Sequence, residues 1–139
     1  MVSYGHCTQK ICLDFAKRFG LTEKQMRGIS VPFGCGMGHA DTCGCVTGAL
    51  IILGLLYAPD SHDDAERMAA LLQEKTSEFE SIFINKYGGL TCRDILKTDI
   101  AATPTAMKEA ADAGLFAKIC FPMIDDTCAM LEKFFSEHA

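Results

Sequence analysis

Between Asp41 and Asp60 the chain carries no charged residue, and from Val46 to Ala58 it is apolar apart from Thr47, Gly48 and Gly54. A helix that is apolar on every face has to be covered on every face. The run falls short of the roughly 20 residues that a bilayer span requires, so no membrane insertion is expected and the rest of the chain must supply the cover. The sequence therefore predicts a central apolar helix over about 43–57, ended by Pro59, inside an all-α, single-domain helical bundle. With 139 residues the chain is of one-domain size, enough to bury about two thirds of the surface its unfolded form exposes. No linker-like tract or internal period divides it, so a single domain is expected over 1–139.

The flanking segments repeat apolar residues at helical rather than strand spacing. Ile11, Phe15, Ala16 and Phe19 form a stripe on a first helix over about His6–Phe19, with Gly20 at its end. Thr22 and Gln25 make a capping box for a short second helix. Ser61 with Asp64 predicts the start of a long amphipathic helix to about Tyr87, with Met68, Leu71, Leu72, Phe79, Ile82 and Phe83 facing inward and Gly88-Gly89 stopping it. Thr91 with Asp94 caps a short helix carrying Cys92 in its first turn. A further helix is expected near Thr105–Asp112, and a last one over about Leu115–Ser136, bent or begun afresh near Pro122. Gly44 and Gly48, four residues apart, are placed to let another helix pack closely against the central one. Ahead of that helix, Gly34, Gly36 and Gly38 alternate within Pro32–Thr42, a pattern that excludes regular helix and permits unusual backbone angles.

Thirteen Lys and Arg against 18 Asp and Glu give a formal charge of −5, with the basic residues scattered. Such a field repels nucleic acid and anionic membranes, so a nucleic-acid partner is not expected. The segment Met1–His6 has neither a basic nor an apolar leader region, which reads as a cytoplasmic protein. In that setting eight cysteines point to metal, cluster or redox chemistry rather than to a disulfide scaffold, because cytoplasmic thiols are kept reduced. They stand at positions 7, 12, 35, 43, 45, 92, 120 and 128. No Cys-x-x-Cys pair is present, which argues against a thioredoxin-like motif or a zinc ribbon, and no Cys-x-x-Cys-His, so no haem is expected. A site made of these thiols has to be assembled by the fold.

Local chemistry singles out Cys43 and Cys92 as reactive thiols. Asp41 or Thr42 is expected to cap the central helix with Cys43 in its first turn, where unpaired N–H groups and the helix dipole favour a thiolate. Cys92, one residue beyond its own cap, has the same advantage. Gly34, Gly36 and Gly38 are candidate cofactor-binding positions whose loop N–H groups can donate to sulfur or to an anion, although Rossmann and P-loop spacings are missing. Cys45, two residues beyond Cys43 on a helix, would point about 200° away and stay outside a site centred on Cys43. Cys12 and Cys128, on helices whose other residues read as core, are expected to be packing residues.

Phe33 to Gly54, reading FGCGMGHADTCGCVTGALIILG, together with Cys7-Thr8-Gln9, Cys92-Arg93-Asp94-Ile95-Leu96 and Cys120, resembles the redox-active proteins named C_GCAxxG_C_C after their cysteine pattern. The resemblance spans nearly the whole chain. It implies four characteristic cysteines at Cys7, Cys43, Cys92 and Cys120, and a CGAxxG motif at Cys43-Gly44-Cys45-Val46-Thr47-Gly48. Cys45 stands where the pattern has alanine, and Cys35 stands where glycine would be expected. The four matching cysteines are then expected to converge as ligands of an iron–sulfur cluster or another thiolate-bound metal, for electron transfer with a redox partner protein. The competing expectation is a thiol–disulfide oxidoreductase cycling a disulfide centred on Cys43, with Cys35, Cys45 or Cys92 as its partner. A small, acidic helical domain of this kind is also suited to pairing as a homodimer.

Overall fold

The computed structural model describes residues 6–138. Its helices follow in the order α1 (His6–Phe15), α2 (Glu23–Ser30), α3 (Gly44–Leu56), α4 (Ala65–Tyr87), α5 (Cys92–Leu96), α6 (Ala106–Asp112) and α7 (Phe121–Glu137). Among the described residues there is no strand, and the sole β-type pairing is an isolated antiparallel bridge between Thr42 and Thr91. The chain is an all-α domain, as helical periodicity predicts. Gly44 through Ala49 of α3 are buried, with Ile52 and Leu53, and α1, α7 and α4 pack around that helix. None of the described helices is long and apolar enough to cross a membrane.

The closest approach is between α1 and α3. A β-carbon built on Gly44 would lie 2.7 Å from Cβ of Cys7, and one on Gly48 would lie 3.3 Å from Cβ of Ile11. The two glycines thus bring the backbones together. Thr8, buried in this seam, donates to the Gly44 carbonyl at 3.1 Å and lies 3.2 Å from the Thr47 hydroxyl. The Thr47 hydroxyl in turn donates to the Phe33 carbonyl at 3.1 Å. Hydroxyls taken out of water keep partners here, which ties the glycine-rich segment to both helices. Helix α7 runs beside α1 in the same direction, with His6 against Phe121, Phe15 stacked on Phe135 and Arg18 paired with Glu132.

The caps read from sequence form where their partners are local. Thr22 and Gln25 make both bonds of the capping box, and Thr91 accepts from the Asp94 N–H. The start of α4 differs. Ser61 makes no capping bond, a short 3₁₀ turn covers His62–Asp64, and the α-helix begins at Ala65. Asp63 and Asp64 still place negative charge at the positive end of the helix. Pro122 stands in the first turn of α7, which restarts after a π-wound turn over Phe116–Cys120.

Ile82 corrects the expected inward face of α4. It is 43 % exposed, while Phe79 and Phe83 are fully buried. The buried stripe of α4 is centred on the i, i+4 pair Phe79 and Phe83, and Ile82 falls on its flank, beyond what the neighbouring helices cover. Ile82→Ala should therefore change unfolding free energy by no more than about 0.5 kcal/mol. By contrast, Ile52→Val in the centre of α3 should cost about 0.5–1.5 kcal/mol. Denaturant titration of both variants checks this assignment, and an equal loss from the two would refute it.

Candidate thiol site

The N-terminal end of α3 meets a cavity lined by five cysteines, Cys7, Cys35, Cys43, Cys92 and Cys120, and otherwise by apolar side chains such as Ile95 and Phe116. No lining residue is charged. The cavity is small, with a volume of about 20 Å³. That is room for one or two waters.

Each thiol arrives on a different piece of irregular or terminal backbone. Cys7 lies in the first described turn of α1, held against α3 by the missing side chain of Gly44. Cys43 does not enter the first turn of α3. It is the residue before the helix, with an extended ψ of 140°. The reason is the Thr42–Thr91 bridge: the Cys43 N–H donates to the Leu90 carbonyl at 2.7 Å, and the Cys92 N–H donates to the Asp41 carbonyl at 2.8 Å. These two bonds stitch the segments carrying Cys43 and Cys92 together. Cys92 opens α5, and Cys120 closes the π-wound turn before α7.

Cys35 comes from the glycine-rich segment. Positive φ angles run through Cys35 (52°), Gly36 (62°), Met37 (59°), Gly38 (77°) and Ala40 (56°). Three of these residues are not glycine, so the segment is wound against steric preference, which costs on the order of 1–3 kcal/mol per residue. Gly36 is required twice over, because a β-carbon there would meet the Asp41 nitrogen at 2.3 Å. Gly34, Gly36 and Gly38 do not themselves line the cavity; they shape the turn that presents Cys35 to it. Arg93 steadies the segment by donating to the His39 carbonyl at 3.1 Å.

The thiols act on one another in pairs: Cys120 has the largest effect on Cys7, and Cys45 and Cys92 the largest on Cys43. Cys7, Cys43, Cys92 and Cys120 are all close enough to sense one another's charge. Cys120 holds Cys7 below the ordinary thiol range, whereas Cys120 itself is pushed up by Cys7 and by burial. Cys92 is raised by Cys43 and by burial. Cys43 is raised as well, first through Cys45, although Cys92 pulls the other way. Activation of Cys43 by a helix start is therefore reversed, because Cys43 stands outside the helix and among other buried thiols. The favoured thiolate is Cys7.

Cys45 does not line the cavity, yet it and Cys43 influence each other's protonation. The 200° separation holds only between two helical residues, and Cys43 is extended. Cys12 and Cys128 lie apart from the cavity, Cys12 in the core and Cys128 with its sulfur 3.6 Å from an Asp14 carboxylate oxygen. Both are pushed up to about 12, Cys12 by burial and the neighbouring Cys128, Cys128 by burial and Asp14. A raised thiol stays protonated until strongly alkaline pH, so neither should alkylate near neutrality in the folded protein. Peptide mapping after iodoacetamide treatment reads this directly, and rapid labelling of the partly buried Cys128 at neutral pH would contradict it.

Among the described residues no group of three or more His, Cys, Asp or Glu is placed to hold a metal ion. No curated protein and no solved structure matches the chain. The family model described as "Putative redox-active protein (C_GCAxxG_C_C)" matches residues 5–134. Cysteine pattern, helical fold and that match agree, and the chain belongs to the C_GCAxxG_C_C family of redox-active proteins.

Proposed function

We propose that this protein transfers electrons through an iron–sulfur cluster held by Cys7, Cys43, Cys92 and Cys120. The observation that carries the reading is the gathering of all four, from α1, the entry to α3, α5 and the turn before α7, around one uncharged cavity. Four thiolates are the usual ligand complement of such a centre. With no cationic side chain in the walls, four thiolates would lack compensation unless a thiophilic cation supplied it. A single ion with metal–sulfur bonds near 2.3 Å would draw its four sulfurs to about 3.8 Å from one another. The sulfurs are not gathered in that way. A cluster, with one thiolate on each iron, sets its ligands further apart than a single ion does. Loading has to widen a cavity that now admits one or two waters, and the irregular backbone at Cys35 and before Cys120 is the part of the wall able to give. The turn shaped by Gly34, Gly36 and Gly38 contributes through the wall position of Cys35.

The alternative, a disulfide cycle centred on Cys43, draws support from the backbone bonds that hold the Cys43 and Cys92 segments side by side. It is weakened by the raised, buried state of the Cys43 thiol. Anaerobic reconstitution with ferrous iron and sulfide decides between the two. Iron and acid-labile sulfide in equal amounts, with visible absorption bleached by dithionite, is the result expected of a cluster protein. A colourless, iron-free protein whose Cys43 enters a reversible disulfide would establish the alternative.

A further inference from the structure

Of the four sulfurs proposed as ligands, Cys43, Cys92 and Cys120 are buried, while Cys7 is partly exposed. A reagent approaching from solvent meets Cys7 first. Cys120 lines the same cavity, and the residues beside the two cysteines, His6 and Phe121, pack against each other. The segments that carry these residues already lie side by side: the ring centroids of that pair are 5.3 Å apart, and further along Arg18 pairs with Glu132. Cys120 also ends a π-wound turn, a backbone irregularity common at functional sites and easier to adjust than regular helix. None of this adjacency depends on a metal.

We infer that, in the metal-free protein, Cys7 and Cys120 form an intramolecular disulfide when a low-molecular-weight disulfide oxidises them, and that this bond closes the site to metal until it is reduced. The exchange has two steps. The Cys7 sulfur attacks the small disulfide, whose sulfur–sulfur bond breaks; one small thiol leaves with the proton that Cys7 gives up, and a mixed disulfide remains on Cys7. The Cys120 sulfur then attacks the Cys7 sulfur, and the second small thiol leaves with the proton from Cys120. Two protein thiols have lost two electrons and two protons, and the small disulfide has become two thiols. The product ties the start of α1 to the start of α7 and removes two of the four sulfurs from coordination. The strained segment carrying Cys35 is not required for the reaction.

Treatment of the reduced, metal-free protein with oxidised glutathione, followed by alkylation and peptide mapping by mass spectrometry, tests this. The expected product is two hydrogens lighter, carries no glutathione, and links the Cys7 peptide to the Cys120 peptide. Its iron uptake under reconstitution should fall to background and return after dithiothreitol. In Cys120→Ser, glutathione should instead remain attached to Cys7. Glutathione retained on Cys7 in the unaltered protein, a link between any other pair, or no reaction at all would overturn the inference. The map of the unaltered protein suffices alone if the variant does not fold. A link that forms in a protein whose reduced state takes no iron defeats only the cluster reading; iron uptake without the link defeats only the switch.

Discussion

Serine in place of Cys7, Cys43, Cys92 or Cys120 should each leave the reconstituted protein without iron, while Cys12→Ser and Cys128→Ser should load as the unaltered chain does. The four belong to different segments but share one cavity, and Cys12 and Cys128 lie outside it. Loss of a partner one step removed from a metal typically weakens binding about 10–100-fold, so loss of a direct thiolate should exceed about 100-fold. Cys35→Ser is the sharper comparison. Cys35 lines the same cavity at 5 % exposure, yet four ligands complete a cluster without it, and loading should persist. Cys45→Ala restores the residue that the family pattern carries there; it should also load, since Cys45 acts on Cys43 from outside the cavity. Circular dichroism on each variant separates loss of ligand from loss of fold. Equal loss of iron across all six of Cys7, Cys12, Cys43, Cys92, Cys120 and Cys128 would mean that the cavity thiols are packing residues. Loss from Cys35→Ser together with retention in one of the four would reassign the ligand set.

Helix content, the central position of α3 and the close contact at Gly44 and Gly48 were legible because each depends on spacing within one segment. So were the caps at Thr22 and Thr91, whose partners stand three residues on. The entry to α3 was not legible, because Thr42 is drawn into a bridge with Thr91, a residue far downstream. That pairing extends Cys43, moves it out of the helix and brings it under the influence of Cys45 and Cys92. The expected activation of Cys43 failed for the same cause. Cys7 escaped attention as the favoured thiolate because its state depends on Cys120, at the other end of the chain. Cys35 did leave a trace. A cysteine set between Gly34 and Gly36, where glycine would be expected, marks a left-handed position kept despite its cost, and such positions gather at functional sites. Ile82 was misplaced because periodicity gives the direction of a buried stripe better than its width.

Alanine at two glycines of α3 should have effects of opposite sign. At Gly54 a β-carbon would meet nothing within 4 Å, so Gly54→Ala gains the helix preference of alanine and should stabilise the fold by up to about 1 kcal/mol. At Gly44 the new carbon would lie 2.7 Å from Cβ of Cys7, 2.8 Å from Oγ1 of Thr8 and 3.1 Å from the Thr8 nitrogen. Carbon atoms rest at about 3.5–4.0 Å, so α1 would have to move by roughly 1 Å. Two of the three atoms belong to the backbone or to a β-carbon and cannot swing aside by rotating a side chain. Overpacking of this kind costs about 1–3 kcal/mol, and the bond from Thr8 to the Gly44 carbonyl, at 3.1 Å, is strained in addition. The displacement falls on Cys7, which would be moved relative to Cys120. Gly44→Ala should therefore lower the unfolding midpoint and, in protein that remains folded, impair both iron loading and the glutathione-driven link between Cys7 and Cys120. Denaturant titration gives the first readout, and iron analysis with peptide mapping gives the second. A Gly44→Ala protein as stable as the parent would show that α1 and α3 are not packed through Gly44. One that is destabilised but loads and cross-links normally would show that the position of Cys7 does not depend on that contact.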